Sequence, residues 1–326
     1  MSRPRDDGIV IGALEPGPRN SIADTGVTVG HVTVERTGVT AIVPSSLPLP
    51  AGTAVLNGAG ELTGSLEIRE WGLLETPVYL TSTHAVGRVY DGAVSVAMAA
   101  DPRVGVDDVV IPVVGECDDS WLSDARIPHV QAGDVARAVA DATLDFEQGA
   151  VGAGAGMSCF DWKGGIGSSS RVAGEHTVGV LLLTNFGASE QLRVDGVPVG
   201  QLLDERPDEA PAPGGSCIAV VATDAPLTPA QLERLARRAG LGLGRAGSVA
   251  HHGSGEIFVA FATATECSHD DRDLNPLFQA AVDATEEAVL CSLWAAVDTV
   301  GREGRLVRAL PREKVLELYR GRGRGR

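Results

Sequence analysis

Glu205–Thr223 reads ERPDEAPAPGGSCIAVVAT, and its character changes halfway along. The first part mixes proline, acid and glycine, the composition of an exposed loop. The second part, Ser216–Thr223 (SCIAVVAT), is apolar at consecutive positions, as in a strand covered on both faces. A serine therefore stands where a polar loop enters a buried strand.

Outward from this junction the elements come in blocks. Downstream, Thr228 reads as a helix N-cap, Pro229 as the first helical residue and Gln231 as the closing member of a capping box. Leu232, Leu235 and Ala236 face inward and Gly240 reads as the stop. A strand over Glu256–Thr263 follows, then a long helix from Asn275-Pro276 toward Val300. Upstream, Thr177–Thr184 reads as a strand ending in Asn185-Phe186-Gly187.

Further back, Asp134–Phe146 has helical apolar spacing. Val109–Val114 (VVIPVV) reads as a strand apolar on both faces, with Pro112 favouring an edge or bulge. The first third alternates short β-branched runs with turn residues: Gly26–Val34, Gly38–Pro44, Thr53–Asn57 and Pro77–Thr81. Blocks of strands and helices, rather than strict alternation, favour an α+β layered fold over a doubly wound sheet. One domain over 1–326 is expected.

Composition narrows the function. At 44% hydrophobic and 21% charged the chain can bury a large core, and forty-one glycines in 326 residues imply many close backbone approaches. The formal charge of −16 repels a phosphate backbone, so nucleic acid is excluded as the main partner and an amine-bearing substrate fits better. Five widely spaced cysteines form no C-x-x-C pair and suggest a reducing compartment. With no apolar run of membrane length and no signal-like N-terminus, a cytoplasmic protein away from membranes is expected. The Gly/Arg tail from Arg320 to Arg326 is read as solvated.

Gly149–Gly167 (GAVGAGAGMSCFDWKGGIG) contains neither G-x-G-x-x-G nor a P-loop lysine position, so it is read as a crowded structural loop. His251 and His252 lack neighbours at metal-ligand spacing and are read as loop residues near the site. No cofactor and no metal is expected. Cys217 alternates away from Ser216 and is read as a buried thiol.

Gly214-Gly215-Ser216 alone reads first as a turn into a strand. Its chemistry admits more. A serine hydroxyl behind a strained glycine can attack the preceding carbonyl, shift the acyl group from nitrogen to oxygen, and leave an N-terminal serine after hydrolysis. That serine carries its own base, because an α-amine titrates near pH 8 and lies beside its own hydroxyl.

Several ordered segments then show that the chain resembles the DmpA-like aminopeptidases, which include L-aminopeptidase/D-esterases and β-peptidyl aminopeptidases. They are Asp24–His31 (DTGVTVGH), Asn57–Gly64 (NGAGELTG), Leu73–Gly87 (LLETPVYLTSTHAVG), Pro112–Asp124 (PVVGECDDSWLSD), Gly152–Arg171 (GAGAGMSCFDWKGGIGSSSR), Thr184–Gly187 (TNFG) and Gly215–Leu227 (GSCIAVVATDAPL). The resemblance implies a four-layer α/β/β/α sandwich of N-terminal-nucleophile type. It implies self-cleavage between Gly215 and Ser216 into chains 1–215 and 216–326. It makes Ser216 the nucleophile, Ser254 and Glu256 its positioning network, Asn185 the oxyanion donor and Glu116 the acid that binds the substrate's amino group.

The implied substrate is a short peptide, amide or ester with a free amino group, and the implied assembly a homo-oligomer of processed protomers. Two positions depart from the family. Asp118 stands where a tyrosine is expected to aid the oxyanion site, with Trp121 the nearest aromatic, and Ser123 stands where asparagine is usual. Asp118 and Trp121 are therefore substrate-site candidates. The departure leaves a catalytically weak or silent binding protein as the alternative, and an unprocessed hydrolase using His251 or His252 as a third reading.

Overall fold

The computed structural model describes residues 3–205 and 215–321. Arg206–Gly214 of the Pro-rich loop and the last five residues of the Gly/Arg tail lie outside the described residues. Two β-sheets stack face to face between two pairs of helices. The first sheet holds β1 (Thr28–Val34), β2 (Thr37–Val43), β5 (Val78–Ser82) and β6 (Val113–Cys117) in that order. The second is ordered β4 (Leu73–Leu74), β3 (Leu49–Gly58), β12 (Ser254–Ala262), β11 (Gly215–Thr223), β10 (His176–Asn185) and β9 (Gly165–Ala173). Strands β7 (Ser158–Cys159) and β8 (Trp162–Lys163) form a small hairpin beside the second sheet, and β13 (Thr299–Val300) with β14 (Leu306–Val307) another.

Period-two alternation distributes the core. Along β11, Ile218, Val220 and Ala222 face the first sheet, where they meet Val29, Ile42 and Leu80. Cys217, Ala219 and Val221 face the other way, into a core with α5 (Pro229–Ala246) and α6 (Leu274–Ala295). The outer face of the first sheet packs on α2 (Val86–Ala100) and α3 (Ala132–Ala140) through Tyr79, Val89, Val114 and Val135. The result is the four-layer α/β/β/α sandwich that the resemblance implies. Shorter helices α1 (Ser65–Trp71), α4 (Val199–Leu202) and α7 (Arg312–Gly321) lie on its rim.

Helix α5 forms as its sequence dictates: Thr228 Oγ1 accepts from Gln231 N, and Gln231 Oε1 accepts from Thr228 N at 2.9 Å. Gly240 does not stop it. The helix runs on to Ala246 because Gly242 lets it approach α6 closely, and Gly247, at φ 113°, makes the C-cap.

Other boundaries also moved. Val109–Pro112 are irregular, with Val109 exposed, and the strand starts at Val113, after the proline that cannot donate to a ladder. Helix α3 ends at Ala140, so Phe146 lies off it, against His31. Helix α6 stops at Ala295, short of Val300. Helices α1 and α2 interrupt the first third, which had read as strands alone.

Below the sheets, α6 sits hard against β9. A Cβ on Gly167 would lie 2.0 Å from the Ala288 carbonyl, so glycine is what permits the approach. Arg171 on β9 and Glu287 on α6 form an ion pair with both side chains fully buried. Asn20 Nδ2 donates to the other Glu287 oxygen at 2.6 Å, and Arg171 also donates to Ile11 O at 2.8 Å, so the pair is hydrogen-bonded on both sides, with Arg171 Nε alone lacking a partner among the described residues. No helix is long and apolar enough to cross a membrane among the described residues. The five cysteines are unpaired.

Candidate active site

The N-terminal end of β11 opens into a cavity of about 680 Å³. Gly215 enters the strand at φ 146°, and a Cβ there would come within 1.9 Å of the Asn185 carbonyl oxygen. Only glycine fits at that position. Ser216 follows, 6% exposed, on the face that Ile218 continues toward the first sheet.

Ladder pairing delivers the neighbours. Antiparallel β10 sets Asn185 opposite Ser216, and parallel β12 sets Gly255 opposite it on the other side. The Gly255 N–H donates to Ser216 Oγ at 3.3 Å. Residues far apart in the chain thus converge because three strands place their ends at one edge.

Ser254 and Glu256 flank Gly255. The Ser254 hydroxyl donates to Glu256 Oε1 in a short contact, and both side chains are buried. Glu256 Oε2 has no hydrogen-bond partner among the described residues. Burial raises the Glu256 carboxyl above its ordinary range, and the Ser254 bond opposes that shift. A buried carboxylate with one open oxygen beside a serine can orient a donor or hold an ammonium group.

Asn185 is fixed at both ends of its amide. Oδ1 accepts from Ser158 N at 2.9 Å, and Nδ2 donates to Asp118 O at 2.8 Å. Its second Nδ2 proton is not used by that bond, and the residue lines the cavity. Ser158 belongs to the glycine-rich segment that the sequence suggested is structural. That segment is gathered by Lys163, which is fully buried and donates from Nζ to the carbonyls of Gly154 at 3.0 Å, Met157 at 2.6 Å and Gly164 at 2.9 Å. The sequence had tested Lys163 only as a P-loop lysine. Its actual role depends on which carbonyls the loop turns inward, which no local pattern encodes.

Glu116, at the end of β6, is 4% exposed and lines the same cavity. Thr83 Oγ1 donates to Oε2 and Glu61 N donates to Oε1 at 3.0 Å. Desolvation pushes its carboxyl above the ordinary glutamate range, with the Thr83 and Glu61 bonds opposing. Neither Thr83 nor Glu61 was singled out in the sequence, although both lie in segments that carry the resemblance.

Asp118 also lines the cavity, but its carboxylate folds back on Ser120, accepting from N at 2.9 Å and from Oγ at 3.0 Å. An acceptor held in that turn is no oxyanion donor. The nearby Trp121 has its Nε1–H buried without a partner among the described residues. Ser123 is buried in the turn after Trp121, its N–H donating to Asp119 O at 2.9 Å, and is not among the residues lining the cavity.

His251 and His252 lie outside the cavity lining. His251 bonds Gln191 through Nε2 at 3.0 Å and accepts from Asn57 Nδ2 at its carbonyl, and His252 is exposed. Neither is placed as a base for Ser216. Cys217 is buried on the helix side of the sheet, as alternation required. Among the described residues no cluster of His, Cys, Asp and Glu could hold a metal ion.

The layered fold, with a serine heading a central strand and a carboxylate, an amide and a buried acid around it, is that of the N-terminal-nucleophile serine aminopeptidases. The chain belongs to the family described as Peptidase family S58, whose model matches residues 20–307. It is 38% identical to the β-peptidyl aminopeptidase BapA of Sphingosinicella microcystinivorans, over 98% of this chain and 92% of that protein.

Among solved structures, the PH0078 protein of Pyrococcus horikoshii OT3 superposes with a TM-score of 0.94 at 42% identity, covering 99% of each chain. The L-aminopeptidase D-Ala-esterase/amidase of Ochrobactrum anthropi, described as a new variant of the Ntn hydrolase fold, superposes with a TM-score of 0.91 at 35% identity, covering 99% of each chain. The protein is a serine-type aminopeptidase or amidase, and the binding-protein alternative finds no support.

Proposed function

We propose that the chain cuts itself between Gly215 and Ser216, and that Ser216 then serves as the nucleophile for removing N-terminal residues from short peptides, amides or esters. The observation that carries this is that strand register sets Asn185 and Gly255 on either side of Ser216 at the cavity, with the bonded Ser254–Glu256 pair flanking Gly255.

In the first step Ser216 Oγ attacks the Gly215 carbonyl, its proton passes to the departing Ser216 nitrogen, and water hydrolyses the resulting ester. The new α-amine then accepts the hydroxyl proton when Oγ attacks a substrate. An acyl-enzyme forms on Ser216 as the substrate's amine or alcohol leaves with that proton. Water returns the hydroxyl. Glu256 Oε2, which has no partner in the intact chain, would receive the Ser216 amine, and Ser254 keeps the other oxygen occupied.

Asn185 donates its second amide proton to the oxygen that gains charge. Glu116 binds the substrate's ammonium group by charge pairing, which makes the enzyme select free N-termini. Asp118 and Trp121 line the acyl site. The β-peptidyl activity named for the Sphingosinicella relative extends the expected substrates to β-aminoacyl groups. Unpaired cysteines fit a cytoplasmic location, and a homo-oligomer of processed protomers fits the apolar residues left exposed on the rim, Leu66 and Trp71 among them.

Intact mass with N-terminal sequencing tests the processing step. Two chains are expected, the smaller beginning Ser216-Cys217, and Ser216→Ala should remain one chain of 33.7 kDa with no aminopeptidase activity. A processed wild type that turns over no α- or β-aminoacyl p-nitroanilide would refute the assignment.

A further inference from the structure

Two arginines stand in the active-site cavity of a chain whose net charge is −16. Arg302 and Arg305 come from the turn between β13 and β14, remote in sequence from the other residues that line the cavity. Their guanidinium groups are built in. Arg305 lies over the Trp121 ring, with Cζ 4.4 Å from the ring centre, and Nη1 donates to Trp121 O at 3.2 Å. Arg302 is held through its backbone, whose N–H donates to Leu122 O at 2.8 Å, and its side chain is 23% exposed.

Their charges are only half balanced. Glu303, on the same turn, bridges both arginines, at 2.9 Å to Arg302 Nη2 and 3.0 Å to Arg305 Nη2. One carboxylate cannot neutralise two guanidinium groups. Asp124 approaches Arg302 only to 3.9 Å, because its oxygens are engaged by Arg126 at 2.8 and 2.6 Å. Of the other aspartates lining the cavity, Asp118 is turned onto Ser120, and Asp161 accepts from Ser189 N at 2.7 Å. Arg302 Nε is buried with no partner among the described residues. An anion entering the cavity would meet the partly exposed guanidinium groups of both arginines, whose charge Glu303 alone does not balance.

We infer that Arg302 and Arg305 form a carboxylate subsite, so that the preferred substrates carry both a free amino group and a carboxylate. The inference rests on the aminopeptidase reading of the same cavity. It sets Glu116 at one part of the cavity for the ammonium group and the arginine pair at another for the anion, a division of charge that suits small zwitterionic peptides. The carboxylate has two sources, the C-terminus of a dipeptide or an acidic side chain on the residue released. The first needs no particular side chain, whereas the second makes the enzyme specific for acidic residues.

The test uses the processed enzyme and three substrates: a neutral dipeptide as free acid, the same dipeptide as C-terminal amide, and a dipeptide amide with aspartate as its first residue. A charge-assisted pair is worth about 1.5–3 kcal/mol, so one carboxylate-bearing substrate should exceed the neutral amide about tenfold or more in kcat/KM. Preference for the free acid assigns the subsite to the C-terminus, and preference for the aspartyl amide assigns it to the side chain.

Arg302→Gln and Arg305→Gln should each lower the carboxylate-to-amide ratio about tenfold, and Arg305→Lys should restore part of it. A merely structural role for the pair would lower all substrates together and leave the ratio unchanged, which would overturn the inference. So would equal turnover of all three substrates by the wild type. If no substrate is hydrolysed at all, the aminopeptidase reading itself fails.

Discussion

Asn185 shows what a single side chain contributes here. Its amide is gripped by Ser158 N on one side and Asp118 O on the other, so it is oriented before any substrate arrives. Such preorganisation is what the oxyanion role we propose for it requires. In Ser216-competent, processed protein, Asn185→Ala should lower kcat about 10²–10³-fold with KM changed far less, as steady-state kinetics would show. Glu116 makes a prediction in pH. Its folded-state pKa lies above the ordinary glutamate value, and the ammonium binding we propose for it needs the carboxylate. Accordingly kcat/KM should fall as pH drops through that raised pKa. Glu116→Gln should raise KM about tenfold or more and abolish this acidic limb. The stability sign is opposite: a folded protein that takes up this proton earlier than the unfolded chain becomes more stable at this site as pH falls through the folded pKa.

At the scale of elements, the loop that ends in β8 matters as much as the strands. Lys163 substitutes its ammonium protons for a hydrogen-bonding ladder, holding three carbonyls that the glycines leave inside the molecule. Lys163→Met would remove a donor from each: Gly154 O and Met157 O would keep only the bonds from Met157 N and Gly164 N, both at 3.2 Å, and Gly164 O would lose the Lys163 bond, while an unsatisfied buried group costs about 1–3 kcal/mol. Urea unfolding of the unprocessed Ser216→Ala chain should therefore show a loss of about 2–4 kcal/mol at unchanged m-value. Because the same loop presents Ser158 N to Asn185, the substitution should also reduce kcat in the processed enzyme. The capped start of α5 was legible from Thr228, Pro229 and Gln231, since capping is local. Its end was not, because Gly240 is a stop only where no tertiary packing carries the helix past it.

At the scale of the molecule, sheet order decides what self-cleavage would do. The segment before Ser216 supplies β4 and β3 at one edge of the six-stranded sheet and β10 and β9 at the other, and the segment after it supplies β11 and β12 between them. The two products interdigitate by strand pairing on both sides. Helix α6, from the second segment, is also tied to β9 of the first by the buried Arg171–Glu287 pair. The cleaved chains should therefore co-elute in gel filtration without denaturant and separate only on unfolding, and a free 216–326 fragment eluting later than the complex would contradict this.

The sequence by itself determined the apolar strands at Thr177–Thr184 and Ser216–Thr223, the capped helix start, the glycine before Ser216 and the acidic balance of the chain. These are local or compositional properties, written in neighbouring residues. The resemblance to a family added the layer order. Only the tertiary structure decided which residues meet at Ser216, because strand register brings together positions separated by tens of residues. It also revealed Lys163 as a buried clasp and brought Arg302 and Arg305 into the cavity. Neither has a periodic or motif signature, since a side chain's electrostatic role depends on the groups that packing places around it and not on its neighbours in the chain.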